Sequence, residues 1–393
     1  MQKLRGTSAT VRKVVLVAGA GLCVGCLPAV LAGGAASAQG SSGGTVEHWG
    51  LGQRSPVAAD LPGPVAEVGT SNSDAYALLA NGTVWAWGSG SHGELGDGGT
   101  TSSATPVQVR FPAGVTIASI PTDAMPWDTA YAIDTNGHVW GWGANAGGEL
   151  CLGNETSYST PVQLPLTDVT AVAGAAQHTT YDAGRTLYSC GGNHVGQLGD
   201  GGTTSSHVPV KVQGLSGGLV TALVSGFNNV GALLSNGKYY DWGWNSKGQL
   251  GDGSVGGSSD VPVQVQLPAA VTQAVQGGND PEDGQTLVML ANGKVYAWGA
   301  NGAGQLGTGN LVSKSSPVQI FPPAGVTYQA LASGGDASYA VSATGNVYAW
   351  GGNHNGQLGD GTTTSSTTPV LVESQATSLI SATSTDVAVS VQG

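Results

Sequence analysis

Short apolar runs rich in Val, Tyr, Trp and Ala alternate along the chain with clusters of Gly, Asn, Asp, Ser and Thr. Within a run such as Val84-Trp85-Ala86-Trp87-Gly88, β-branched and aromatic residues suit a pleated surface buried against a neighbouring sheet. A helical reading fails on the glycine spacing, because each interior Gly costs a helix about 1 kcal/mol. Asn-Gly pairs begin at 81, 136, 236 and 292 between apolar runs. They predict two-residue type I′ hairpin turns, in which both central residues need positive φ.

The runs belong to a repeat. NGTVWAWG at 81–88 recurs as NGHVWGWG (136–143), GRTLYSCG (184–191), NGKYYDWG (236–243), NGKVYAWG (292–299) and TGNVYAWG (344–351), and GTVEHWG ends at Gly50. A glycine loop follows each full copy: GELGDG at 93, GELCLG at 148, GQLGDG at 196, 248 and 356, and GQLGTG at 304. The Trp-type position and the proline of the next Pro-Val segment are 19 residues apart in five copies and 20 in the other. One such unit buries too little surface alone, so copies must stack, and radial stacking of four-stranded sheets makes a propeller. Trp-type positions at 49, 87, 142, 190, 242, 298 and 350 predict an all-β, seven-bladed β-propeller over 45–393. The chain ends on a strand that precedes the hairpin turn, and Thr45 to Trp49 supplies the strand that follows it. The last blade is therefore expected to be closed by N- and C-terminal strands, which removes exposed sheet edges.

Residues 1–38 read as a signal peptide. Lys3, Arg5, Arg12 and Lys13 precede the apolar stretch Val14 to Leu31, and Ala36-Ser37-Ala38 fits a cleavage site. Residues 39–44 read as a short linker. The expectation is a secreted, extracellular monomer with no membrane span in its mature part. Without the signal, 8 basic residues face 24 acidic ones, a formal charge of -16, which argues against nucleic acid as a partner. Cys23 and Cys26 fall inside the apolar signal stretch and are set aside. Cys151 and Cys190 replace a loop Gly and the strand Trp in successive copies; an interblade disulfide and two free thiols are both open.

Together, the Gly-x-Val-Tyr-Ala-Trp-Gly segments, the Gly-Gln-Leu-Gly-Asp-Gly loops and the Pro-Val segments resemble the regulator-of-chromosome-condensation repeat, over essentially all of 45–393. The resemblance implies a seven-bladed binding platform. The eukaryotic founders are guanine-nucleotide exchange factors that touch chromatin, roles that a signal peptide and negative charge oppose. The chain is also partly similar to secreted propeller-type β-lactamase inhibitors of soil actinobacteria, although their repeats are shorter and lack this glycine loop.

Features copied into every blade indicate packing, whereas a ligand site needs asymmetry. Asp97, Asp200, Asp252 and Asp360 in the glycine loops are expected to cap turns. Length varies between the Pro-Val segment and the next Trp-type position, from 29 to 36 residues. Loops there carry Trp127, His178, Phe227, Asp280, Glu282 and Asp283. By resemblance to the inhibitors, whose equivalent loop face is aromatic and acidic, these six are the candidate binding residues for an extracellular protein. Carbohydrate, including cell-wall glycan, is the alternative ligand. No His pair, nucleophile elbow or phosphate loop is present, so no catalytic residue, metal or cofactor is assigned. A glycosidase or lyase built from carboxylates across the channel is the minor alternative.

Overall fold

The computed structural model describes residues 45–392 apart from 51–52, 72–73, 122–127, 176, 279, 281, 374–377 and 383–387, with backbone alone over 45–58 and 373–392. The expected signal peptide and linker lie outside the described residues. Among those described, no helix is long and apolar enough to cross a membrane. The chain forms strands β1 to β28 and is an all-β propeller.

Six blades, each a four-stranded antiparallel meander, run from Val65 to Glu373. The first is β3 (Val65–Thr70), β4 (Asp74–Leu79), β5 (Val84–Gly88) and β6 (Ser103–Gln108). The others span 117–163, 169–211, 220–264, 271–320 and 328–373. Between the ends of this arc, the backbones of β1 (Thr45–Gly50) and β2 (Gln53–Ala59) join β27 (Ser378–Ala382) and β28 (Ala388–Gln392) in a sheet ordered β2-β1-β28-β27. Thr45 stands opposite Gln392 and Trp49 opposite Ala388.

The hairpin turns differ from the expectation. Asn81, Asn136, Asn236 and Asn292 do not have positive φ; only the following glycines do, at 75–80°. Gly82 N–H donates to Leu79 C=O and Leu79 N–H to Thr83 C=O, so the loop has three residues with Gly in the left-handed position. Asn keeps a different role: Oδ1 of Asn81, Asn236 and Asn292 accepts the backbone N–H two residues on, at 3.0–3.1 Å. The two-residue turn with positive φ at both positions occurs at Gly184-Arg185, in the copy without Asn-Gly.

The core lies between blades. Tyr76, Ala86 and Leu95 of the first blade pack with Ile120, Ala130, Trp140 and Trp142 of the second. Four of the described joints are also pinned by a hydrogen bond from the next blade's Trp to a glycine-loop carbonyl. Glu94 C=O takes the hydroxyl of Tyr76 at 3.0 Å and the indole N–H of Trp142, in the next blade, at 2.7 Å. Trp242, Trp298 and Trp350 donate likewise to the carbonyls of Gln197, Gln249 and Gln305 at 2.9–3.0 Å. The repeated Trp is thus an interblade hydrogen-bond donor as well as core.

Candidate functional site

In an antiparallel meander, alternate connections emerge on the same face. The loops joining the inner strand to the second, and the glycine loops joining the third to the outer, therefore share one face of the propeller. Buried asparagines organise the glycine loops: Asn145, Asn193, Asn245, Asn301 and Asn353 accept from the N–H of Leu150, Leu198, Leu250, Leu306 and Leu358 at 2.9–3.1 Å. The loop aspartates do cap turns. Asp97, Asp200, Asp252 and Asp360 accept the N–H two residues on at 2.8–3.1 Å.

The candidate residues separate. Asp280 and Glu282 are exposed on this face and Asp283 is half-buried. Asp280 Oδ1 accepts the Glu282 N–H at 2.6 Å, and Glu282 meets Lys247 at 3.0 Å. Burial first, then the charges of Asp280 and Asp336, push the Asp283 carboxyl up to about 6. Phe227 is half-buried, and its backbone runs beside Gly278 at the start of the acidic loop. His178 is a correction: as the first residue of its strand, His178–Ala183, it is fully buried. Its Nε2 lies 3.4 Å from Ser225 Oγ, and burial lowers its pKa to about 4. A neutral, buried imidazole joins two blades and cannot meet a partner. Trp127 lies outside the described residues.

Cys151 and Cys190 form a disulfide, with Cα atoms 5.6 Å apart. It replaces the Trp joint. Elsewhere a Cβ on the glycine that Cys151 replaces would stand 2.6–2.9 Å from the indole nitrogen of the next blade's Trp: Gly96 on Trp142, Gly199 on Trp242, Gly251 on Trp298 and Gly307 on Trp350. Where the Trp is Cys190, that space admits the Cβ of Cys151, which keeps the left-handed backbone of the glycine it replaces, φ 58°.

Sequence reasoning missed a second cluster on the same face, between the first two blades. His92 Nδ1 is 3.2 Å from Glu94 Oε1 and 3.7 Å from Asp128 Oδ2. Glu94 is fully buried and Asp74 beside it is 1 % exposed. Burial, opposed by the Ser71 hydrogen bond and reinforced by the charges of Glu94 and Asp128, pushes the Asp74 carboxyl up to about 8. Burial and Glu94 also raise Asp128, against the pull of His92. These residues come from two blades, so no local spacing announces them; the available signal was His92, which no other copy has, beside a Glu that only Glu149 shares among the glycine loops.

An interblade core, Trp-to-carbonyl joints and asparagine-organised glycine loops define a propeller of tryptophan-glycine repeats. The regulator of chromosome condensation (RCC1) repeat model matches residues 81–121, 136–181, 186–233, 236–280, 292–341 and 344–391, and the chain belongs to that family. Over 84 % of its length it is 29 % identical to the ultraviolet-B receptor UVR8 of Arabidopsis thaliana, covering 78 % of that protein. It is 32 % identical to the mitochondrial RCC1 domain-containing protein RUG3 of Arabidopsis thaliana over 75 % of this chain and 67 % of that one. A match at 28 % to the human E3 ubiquitin-protein ligase HERC2 covers 86 % of this chain and only 7 % of that protein. Human WBSCR16 superposes with TM-score 0.78 at 19 % identity, covering 89 % of this chain and 99 % of that one. Yeast RCC1 (Prp20), solved with Kap60 bound, gives 0.75 at 19 % identity and 89 % coverage of both.

Proposed function

We propose that this RCC1-type propeller is a secreted, non-catalytic scaffold that binds an extracellular protein through the face carrying Asp280, Glu282, Asp283 and Phe227. The propeller itself is a common protein-binding scaffold. The observation that supports the specific role is the acidic loop: three carboxylates lie within four residues, two of them exposed and fixed by a tight turn, next to a half-buried aromatic. Acidic rims speed encounter with a basic partner, and aromatic residues supply anchors. An inhibitor-like role in a bacterial secreted branch falls within this reading.

The test is capture of extracellular and cell-wall proteins on the wild-type protein and on a variant carrying Asp280→Asn, Glu282→Gln, Asp283→Asn and Phe227→Ser. A partner that the wild type holds, that added salt weakens and that the variant releases supports the reading. Binding of a neutral glycan that salt leaves unchanged points to the carbohydrate alternative. Interactions identical in both proteins refute the assignment of this face.

We further infer that the terminal sheet completes a seven-bladed ring. RCC1 relatives are seven-bladed, and the β1–β28 backbone pairing supports closure by both termini.

A further inference from the structure

The joint between the first two complete blades departs from the repeat in charge. Two joints further on, Gln197 Nε2 donates to Asn228 Oδ1 at 3.4 Å, one amide meeting another across the boundary. At the first joint the same positions hold Glu94 and Asp128. A carboxylate therefore faces a carboxylate where, at the Gln197–Asn228 joint, a donor faces an acceptor.

A third ligand type completes the group. Where the other copies have Gly147, Val195, Lys247, Ala303 and Asn355, this one has His92. Its backbone N–H donates to Glu94 Oε2 at 2.7 Å, which fixes the buried carboxylate and turns Oε1 toward the imidazole. Around Nδ1 stand Glu94 Oε1 and Ser91 Oγ at 3.2 Å and Asp128 Oδ2 at 3.7 Å. Behind them Asp74 accepts from Ser71 Oγ through Oδ2 at 2.8 Å, while its buried Oδ1 has no hydrogen-bond partner. The charges of Glu94 and Asp128 both act on Asp74. Among the described residues, no lysine or arginine forms an ion pair with any of the three acids. The carboxylates of Glu94 and Asp128 thus meet where the Gln197–Asn228 joint has neutral amides, without a lysine or arginine to offset them.

The geometry suits a small cation. The ligand atoms of His92, Glu94 and Asp128 all lie within 4.8 Å of one another. A tetrahedral zinc ion with bonds of about 2.0–2.1 Å holds its ligands about 3.3 Å apart. The distances of 3.2 and 3.7 Å fall on either side of that value. Calcium and magnesium take oxygen ligands, whereas an imidazole with carboxylates selects a zinc-type ion. We propose that His92, Glu94 and Asp128 form a binding site for a divalent transition-metal cation of the zinc type, leaving a fourth position open to solvent beside the half-exposed His92 ring. The inference stands independently of the protein-binding reading.

The repeat supplies its own test variants. Glu94→Gln with Asp128→Asn recreates the Gln197–Asn228 pair, and His92→Val installs the residue of Val195. Tag-free protein is dialysed against zinc chloride and the retained metal counted, with cobalt absorption as a second readout of a tetrahedral nitrogen-oxygen site. The expected result is one zinc per wild-type chain and at least about tenfold weaker binding in each variant, with the cobalt bands lost and thermal unfolding of the metal-free proteins unchanged. If the double variant unfolds early, His92→Val decides. Failure of the wild type to retain zinc overturns the proposal, as does undiminished binding by a folded variant. So does zinc binding abolished by His207→Ala alone, which would place the ion at the Glu155–His207 pair.

Discussion

Exchanging the disulfide for the Trp joint used between other blades tests how these blades are held together. The perturbation is Cys151→Gly with Cys190→Trp, compared with each change alone. At four other joints a Cβ would sit 2.6–2.9 Å from the indole nitrogen. Cys190→Trp alone therefore presses an indole onto the Cβ of Cys151 as well as removing the bridge. The bridge closes a loop with a sequence separation of 39 residues, and chain entropy values that at about 4 kcal/mol. Overpacking adds about 1–3 kcal/mol. The single variant should thus fall about 5 kcal/mol or more below the oxidised wild type. In the double variant, glycine relieves about 1–2 kcal/mol of left-handed strain. The new Trp is expected to donate to Glu149 C=O, for about 1 kcal/mol, and to bury an indole. Its stability should return to within about 2 kcal/mol of the wild type. Denaturant unfolding with and without reductant measures all four proteins: the wild type should lose stability on reduction and the double variant should not. A Cys190→Trp single variant as stable as the double would refute the reasoning, because the clash between Cβ and indole would then have no energetic content.

Other expectations follow from buried groups and from the proposed closure by both termini. His178 has a folded pKa of about 4 against an ordinary 6.5, so the stability it contributes is fully present above 6.5 and is lost as pH falls toward 4. The loss reaches about 3 kcal/mol; His178→Gln, which takes the residue of the equivalent Gln285, should flatten the melting temperature over that window, and an unchanged pH slope would contradict the assignment. Asp241 is fully buried with Oδ1 unpaired and burial holds its carboxyl far above the usual range, so it costs stability as pH rises. Asp241→Asn should therefore raise the melting temperature at pH 9 more than at pH 4, and equal shifts at both would show an ionised group in the fold. Deleting Ser378 to Gly393 should sharply lower cooperative thermal stability, whereas a truncated protein that melts like the full chain would overturn closure by β27 and β28.

The repeat and the strand character of its apolar segments could be read from the chain, because a fixed period with glycine at constant offsets leaves few ways to bury Trp and Tyr. Even there, Asn-Gly suggested the wrong turn, since the pair serves a three-residue loop as well as a two-residue one. The exposed acidic loop was also legible, as a run of carboxylates in a segment of variable length. His178 was misread because the loop ends and the strand begins at adjacent residues; only the packing of one blade on the next decides which side of that boundary is dry. The disulfide and the His92–Glu94–Asp128 cluster are tertiary in origin. Each draws residues from two blades, and the contact between a glycine loop and the following blade brings Cys151 to Cys190 and Glu94 toward Asp128. Sequence marks these positions as departures from a repeat, but only the angle and spacing between neighbouring blades set the distances on which a bond or an ion depends.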